Sequence, residues 1–313
     1  MEGHDDPHFF GVLVTYRRPG QLAVTLDRLQ AQSRRLDRLL VIDNGSEPET
    51  RRAVERHDAH YIDAGDNLGP AGGYALGMTQ ILESAGDDDW IFLFDDDDPP
   101  FFDDAVASAA RFAIRMTGED PMVGGVGISG GRFDFRSGRV VRIGDDEIHG
   151  VVPVDHITGG GLPAYRVGAI RQVGVFLPEL FFGFEELEYG MRLSSGGHPL
   201  FADGEQWARR KSVKRDAGLL PAEEVSVTRS SATRVRVTEP SWRRYYSLRN
   251  TIYLLRKHHA GGAALRVALL RGILKPLANL LSSPRLAWAN LALNWKAIRD
   301  GWTGRMGRTV SPG

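Results

Sequence analysis

The feature that most constrains this chain is a block of five bulky apolar residues running straight into acid, Trp90-Ile91-Phe92-Leu93-Phe94 followed by Asp95-Asp96-Asp97-Asp98 and Pro99-Pro100. Without polar alternation such a run reads as a strand buried on both faces, the mark of a parallel sheet covered by helices on each side. The acids then stand at the strand's carboxyl end, where open α/β sheets bind their ligands. Adjacent carboxylates repel one another. Either a hard divalent cation, Mg2+ or Mn2+, holds them and keeps positions open for phosphate oxygens, or they form a solvated loop capping the next helix, whose start Asp103 and Asp104 favour. The run by itself leaves both readings open.

A doubly covered strand needs a large core around it, and 313 residues with 42% hydrophobic content supply one. This excludes disorder and a small stapled scaffold. A net charge of −1 gives no global attraction to a polyanion, so nucleic acid is not an expected partner. The absence of cysteine excludes disulfides, thiolate metal sites and a cysteine nucleophile. Met1-Glu2-Gly3-His4-Asp5-Asp6-Pro7 is polar and acidic where a secretory signal is basic and then apolar, and no run of about 18 uncharged apolar residues occurs. A cytoplasmic protein without a transmembrane helix is expected.

In chain order, Phe9 to Tyr16 reads as a first buried strand, with Pro19-Gly20 before a helical pattern through Leu22, Leu26 and Leu29. Leu39-Leu40-Val41-Ile42 is a second strand ended by the turn Asp43-Asn44-Gly45-Ser46. Glu47 to His57 is helical, His60-Tyr61-Ile62-Asp63 a third strand, and Asn67-Leu68-Gly69-Pro70-Ala71-Gly72-Gly73 a glycine-rich turn opening a helix from Tyr74 to Glu83. Such a turn could bring backbone amides to a phosphate, or it could be only a tight connection. After the acidic strand a helix is expected near Asp103 to Met116. Alternating strands and helices predict a doubly wound parallel sheet that gathers Thr15-Tyr16-Arg17-Arg18, Asp43-Asn44, Asn67 to Gly73 and the acids at one edge.

From Pro121 the texture changes to strand and hairpin, with Arg132 to Phe135 and Arg139 to Arg142 across Ser137-Gly138, a strand Val151 to His156, and a flexible Thr158-Gly159-Gly160-Gly161. A second acidic cluster follows in Phe181-Phe182-Gly183-Phe184-Glu185-Glu186-Leu187-Glu188-Tyr189-Gly190-Met191-Arg192. Carboxylates beside aromatic surface are raised in pKa, which suits a general base. They also suit a helix start with Glu188 paired to Arg192, and that pairing is the preferred reading of Glu188.

Taken together, Val14-Thr15-Tyr16-x-Arg18, Val41 to Ser46, Asn67 to Gly73, Asp95-Asp96-Asp97 and Glu185-Glu186-x-Glu188 resemble family 2 glycosyltransferases of the GT-A fold. Within that family the similarity is greatest to bacterial galactofuranosyl- and rhamnosyltransferases of cell-wall and surface-glycan assembly. Trp242 to Asn250 is similar to the aromatic and Arg-Asn helix after their base motif, and Arg299-Asp300-Gly301-x-x-Gly304-Arg305-x-Gly307 to their tail. The resemblance implies an α/β catalytic domain over 8–240, with a nucleotide-sugar half at 8–120 and an acceptor half at 121–240, then a helical segment over 241–313.

It further implies a metal-dependent, inverting transfer from a UDP- or dTDP-sugar, for example galactofuranose or rhamnose, to a hydroxyl of a glycan or polyprenyl-linked acceptor. Thr15, Tyr16, Arg18, Asp43, Asn67, Gly69, Gly72, Gly73 and Asp96 would line the donor, with Asp43 on the pyrimidine base. Asp95 and Asp97 would bind Mn2+ or Mg2+. Glu186 would be the base, one methylene longer than the family's usual Asp, and Glu186→Gln is expected to abolish transfer while donor binding survives. Glu185, Glu188, Arg209, Arg210, Arg249 and Asn250 are further candidates for acceptor or diphosphate. The metal-ligand His often found some twenty residues after the base motif is missing from Glu205 to Lys211, and His198 lies nearer the motif than that. A sugar nucleotidyltransferase, or a non-catalytic nucleotide- or glycan-binding relative, is the alternative.

After Asn250, Leu265, Leu269, Ile273, Leu274, Leu277 and Leu281 recur at helical spacing among Arg266, Arg271 and Lys275. Leu286, Trp288, Leu291, Leu293 and Trp295 follow with Lys296 and Arg299. A basic amphipathic pattern with tryptophans suits the surface of an anionic membrane, here the inner face of the plasma membrane. It equally suits packing on the catalytic domain or against a second copy in a homo-oligomer.

Overall fold

The computed structural model describes residues 6–216, 241–278, 280 and 283–311. Packing divides the chain into two units: 1–132, 141–181 and 185–207 in one, and 133–140, 182–184 and 208–313 in the other.

The first unit is built on strands β1 (Phe9–Thr15), β2 (Arg38–Asp43), β3 (His60–Asp63) and β4 (Trp90–Asp95), connected by helices α1 (Pro19–Gln30), α2 (Pro48–Glu55) and α3 (Gly69–Leu82). All neighbouring pairs among these four strands are parallel, in the order β3-β2-β1-β4. Helix α4 (Ala105–Glu119) leads to β5 (Gly125–Gly127), β6 (Gly130–Asp134) and β7 (Arg139–Val141), then β8 (Val151–Val154), β9 (His156–Ile157) and β10 (Ala164–Arg166). Helices α5 (Val167–Val173) and α6 (Glu185–Ser195) come next, followed by β11 (Leu200–Asp203) and α7 (Gly204–Asp216). The main sheet has eight strands ordered β3-β2-β1-β4-β10-β5-β11-β8, with β10 antiparallel to both of its neighbours.

The apolar runs behave as their lack of alternation requires. Successive residues of one strand enter two separate cores: Val12, Val14, Leu40, Ile42, Ile91 and Leu93 face one, while Phe9, Leu13, Leu39, Val41, Trp90, Phe92 and Phe94 face the other. Helix α3 packs on the first core and helices α1 and α4 on the second, giving a three-layer arrangement. The expected single strand Val151 to His156 is broken at Asp155, with Val151–Val154 in the main sheet and His156–Ile157 paired to Gly130–Gly131 in a smaller one.

The glycine-rich segment is also not an open turn. Helix α3 already begins at Gly69, and its glycines allow close approach to β1: a Cβ on Gly73 would lie 2.7 Å from Val14 Cγ1, and one on Gly77 2.4 Å from Val12 Cγ1. Gly72 is buried beneath the Leu68 side chain, where a Cβ would sit 2.7 Å from Leu68 Cβ.

The second unit centres on α8 (Trp242–Lys257), α9 (Gly261–Val267), a π-helical stretch Ala268–Leu274, α10 (Lys275–Leu277) and α11 (Pro284–Thr303). Ala287, Asn290, Asn294, Ala297 and Gly301 form the buried seam of α11. Gly301 lets its backbone close on α8, since a Cβ there would meet the Arg249 carbonyl oxygen at 2.5 Å. The tip of the β6–β7 hairpin packs here as well, with Arg271 donating to the Gly138 carbonyl at 3.0 Å. Leu281 lies outside the described residues.

Candidate active site

Strand register sets out the site. Thr15 is opposite Asp43, Asp43 opposite Asp63, and Val14 opposite Asp95, so the carboxyl ends of four parallel strands present a row of polar groups along one edge. In an open α/β sheet this edge is the ligand-binding crevice.

Asp95 closes β4 with one oxygen already committed, since Tyr74, from α3, donates its hydroxyl to Asp95 Oδ1 at 2.6 Å. Burial pushes the Asp95 carboxyl above the ordinary carboxylate range against the pull of that bond, and the charges of Asp97, Asp96 and Asp98 add to the rise. Asp96 is buried and engaged at both oxygens: Thr15 Oγ1 donates to Oδ2 at 2.7 Å and Arg18 to Oδ1 at 3.4 Å. Its carboxyl is also raised, by burial first, with Thr15 and Arg18 opposing. Arg18 extends to the exposed Asp97 and donates to its Oδ2 at 2.6 Å. Arg18 thus ties the second and third acids together, while the neighbouring Arg17 guanidinium stands over the Tyr16 ring at 5.2 Å.

Glu186 reaches the same place from a distant part of the sequence. A Cβ built on Gly159 would lie 2.9 Å from Asp95 Oδ2 and 3.2 Å from Glu186 Oε1. Those two distances hold the carboxylate oxygens within about 6 Å of one another, a separation at which like charges raise each other's pKa. Glu186 keeps partial solvent contact yet is packed on most sides by protein; burial, then the Asp95 charge, pushes its pKa up to about 7. Behind it stands an aromatic wall of Tyr74, Tyr165, Phe176 and Tyr189, in which Tyr165 and Tyr189 meet edge-to-face at 4.8 Å and Phe176 stacks on Tyr189 at 4.4 Å.

Other residues expected at the site also hold the loops around it in shape. Asp43 is fully buried, and its oxygens accept from the Gly45 amide at 2.7 Å, the Glu47 amide at 3.0 Å and the Tyr61 hydroxyl at 3.0 Å. It braces the β2–α2 turn. Asn67 accepts from the Gly69 amide at 2.9 Å, shaping the entry to α3. Gly69 has φ +68° with the Phe181 carbonyl oxygen 2.1 Å from where a Cβ would sit, so only glycine fits.

Glu188 is held by Arg192, whose Nη2 donates to Oε2 at 2.9 Å, the helix pairing preferred from sequence. Glu185 is buried at the start of α6. His198 meets the Met122 carbonyl at 3.0 Å and Gln172 at 3.1 Å.

Arg209, Arg210, Arg249 and Asn250 belong to the second unit. There Arg249 is buried over the Tyr246 ring and donates to the Gly307 carbonyl at 2.6 Å, while Asn250 donates to the carbonyls of Phe182 and Gly183 at 3.0 and 2.7 Å.

Sequence reasoning did not single out Tyr74 or Gly159. A tyrosine one turn into a helix and one glycine among three carry no pattern that points toward Asp95. Only the fold brings them there.

Among the described residues, no group of three or more His, Cys, Asp or Glu side chains is arranged to hold a metal ion. The donor set still suits Mg2+ or Mn2+, because such ions are commonly held by one or two carboxylates with substrate phosphates and water completing the shell. Asp95 and Asp97 supply two hard carboxylates, and a cation would offset the burial, and then the neighbouring acids, that raise Asp95.

Residues 12–140 match the family model for Glycosyl transferase family 2. The chain is 33% identical over 203 residues to galactofuranosyltransferase GlfT1 of Mycobacterium tuberculosis, covering 61% of this chain and 66% of the relative. It is 43% identical over 86 residues to the GlfT1 of Mycolicibacterium smegmatis, covering 27% of this chain and 28% of the relative. The chain therefore spans just under two thirds of the length of the first of these relatives and about a quarter of the second.

Among solved structures it is similar to mannosyltransferase PcManGT from Pyrobaculum calidifontis in complex with GDP-Man and Mn2+, with a TM-score of 0.52, 15% identity, and coverage of 96% of this chain and 88% of that one. It is likewise similar to S. aureus TarS 1-349 in complex with UDP, with a TM-score of 0.50, 15% identity, and coverage of 95% and 92%. The fold is GT-A.

Proposed function

We propose that this chain, whose residues 12–140 belong to glycosyl transferase family 2, moves a sugar from a nucleotide-diphosphate donor to a hydroxyl of a glycan or lipid-linked acceptor in cell-wall polysaccharide assembly. The observation that carries the proposal is the convergence of Asp95 and Glu186 on one space over Gly159. The galactofuranosyltransferase relatives favour UDP-galactofuranose as donor over a rhamnose nucleotide.

In this reading Asp95 and Asp97 would hold Mn2+ or Mg2+, which when bound would supply charge neutralisation to a diphosphate leaving group. Arg18, beside them, orients the diphosphate, and Thr15 fixes Asp96 so that the acidic loop keeps its shape. Tyr74 holds the Asp95 carboxylate in one orientation. Glu186 takes the proton from the acceptor hydroxyl as that oxygen attacks the anomeric carbon on the side opposite the leaving diphosphate, which inverts the anomeric centre. A base pKa near neutrality matches general-base work at cellular pH.

The second unit supports attachment to an anionic membrane surface, where a lipid-linked acceptor resides. Trp288 and Trp295, at 62% and 64% exposure, and Trp302 recur every seven residues along the solvent stripe of α11, next to Arg285 and Arg299. Leu265 of α9, Leu269, Leu270 and Leu274 of the π-helical stretch and Leu277 of α10 are also exposed. Residues 261–303 carry six Lys and Arg against the single acid Asp300, and such a surface suits the anionic cytoplasmic leaflet. No helix of the described residues is long and apolar enough to cross a membrane.

The test of function is release of UDP from UDP-galactofuranose with Mn2+, with and without a galactoside acceptor. Acceptor-stimulated release supports the transferase. Binding of UDP without any turnover of UDP- or dTDP-sugars refutes it in favour of a binding module.

A further inference from the structure

Resting on that transferase reading, we infer that the missing side chain of Gly159 is a positioning element of the reaction, leaving between Asp95 and Glu186 the space in which acceptor oxygen and anomeric carbon meet. The two carboxylates come from β4 and α6, and the residue between them comes from a third element, the short turn Gly159–Gly161 after β9. A methyl group at 159 would stand 2.9 Å from Asp95 Oδ2, inside carbon–oxygen contact distance, and 3.2 Å from Glu186 Oε1. It would fill the gap or push both carboxylates away from it.

The neighbouring glycine is different. A Cβ on Gly161 would collide with the Ser129 carbonyl oxygen at 2.5 Å and with the Ser129 and Thr158 hydroxyls at 2.7 and 2.9 Å, a clash with fixed backbone and with neither carboxylate. Gly159, like Gly161, lies outside the left-handed region that requires glycine, but the atoms nearest its added Cβ are side-chain carboxylate oxygens and not backbone, so the fold accepts alanine there. Folding therefore imposes glycine at 161, whereas the chemistry imposes it at 159.

In the step itself the acceptor oxygen forms its bond to the anomeric carbon while the bond from that carbon to the diphosphate oxygen breaks. The electron pair leaves with the diphosphate, and the hydroxyl proton passes to Glu186. Both ends of the attacking hydroxyl thus need room over Gly159, its oxygen toward the donor and its proton toward Oε1. Water is smaller than a sugar hydroxyl with its attached carbon, so a partly filled gap should hinder transfer more than hydrolysis of the donor.

The test uses the full chain with UDP-galactofuranose, Mn2+ and an octyl galactoside. Gly159→Ala should fold with a Tm close to that of the wild type and keep its stabilisation by UDP. Its transfer kcat should fall by about 100-fold, the scale of a misplacement of about 1 Å at a reacting centre. The ratio of donor hydrolysis to transfer should rise. Gly159→Ala combined with Glu186→Asp, which withdraws the carboxylate by one methylene, should recover part of the transfer lost by Gly159→Ala alone.

Transfer within threefold of wild type in Gly159→Ala, or transfer and hydrolysis falling in parallel with no recovery in the double variant, overturns the inference. Loss of activity in Glu186→Gln with full activity in Gly159→Ala removes this inference alone. Full activity in Glu186→Gln removes the transferase reading beneath it.

Discussion

Glu186→Gln should produce two effects of opposite sign, and their combination is specific to the arrangement at Gly159. Glutamine keeps the shape and cannot take a proton. If Glu186 is the general base, transfer falls by about 10² to 10⁴-fold while UDP binding persists. Stability should change the other way.

The carboxyl is pushed up to about 7 from an ordinary 4.5, by burial first and by Asp95 second, so the folded state resists its ionisation. Below pH 4.5 both folded and unfolded chains are protonated at this group and the wild type bears no cost. Between 4.5 and 7 the unfolded chain ionises first and wild-type stability declines. Above 7 the whole cost is present. A rise of this size corresponds to at most about 3 kcal/mol, and the partial solvent contact of Glu186 reduces it to about 1–2 kcal/mol.

In metal-free buffer containing EDTA the glutamine variant should therefore melt with the wild type near pH 4.5 and about 2–3 °C above it at pH 8. Differential scanning fluorimetry across that range, with kcat measured in parallel, reads both effects. A variant that is inactive and less stable at pH 8 would refute the reasoning, because the loss would then be structural.

Gly77→Ala should destabilise by about 1–3 kcal/mol in urea unfolding, since its methyl would overlap Val12 Cγ1 at 2.4 Å. Gly20→Ala in α1, with nothing within 4 Å of the new methyl, should be neutral or stabilising by up to about 1 kcal/mol. Removing divalent ions with EDTA should abolish transfer and restoring Mn2+ or Mg2+ should recover it; turnover unaffected by EDTA would exclude Asp95 and Asp97 as required ligands. Trp288→Glu/Trp295→Glu should reduce co-sedimentation with phosphatidylserine vesicles at least tenfold with UDP binding intact, whereas equal wild-type recovery with anionic and zwitterionic vesicles would refute the membrane surface.

The sheet was legible where burial on two faces dictates composition. Strands β1, β2 and β4 read directly from uninterrupted apolar residues, and the acids at the end of β4 mark the sheet edge where Glu186 also arrives. Strand β10 was not legible because three residues, Ala164, Tyr165 and Arg166, become a strand only through antiparallel partners on both sides. The start of α3 was misplaced because glycines ordinarily punctuate a chain, whereas Gly73 and Gly77 here thin one face of a helix so that it can lie against β1.

Asp43 shows the same limit at the site. Its position at a strand end marks it in the sequence, and only the fold reveals the two amides and the Tyr61 hydroxyl that orient it. The approach of Glu186 to Asp95 joins residues far apart in sequence, and resemblance supplied that pairing where local pattern could not.

The tryptophan stripe of α11 makes the molecule its own optical reporter. Trp90 is buried and Trp207 and Trp242 are partly covered, while Trp288 and Trp295 are the most exposed, so the longest-wavelength part of the emission is weighted toward one face of one helix. Transfer of those indoles into any apolar surroundings shifts that emission to the blue and shields it from iodide, so the occupancy of this face can be followed without a label.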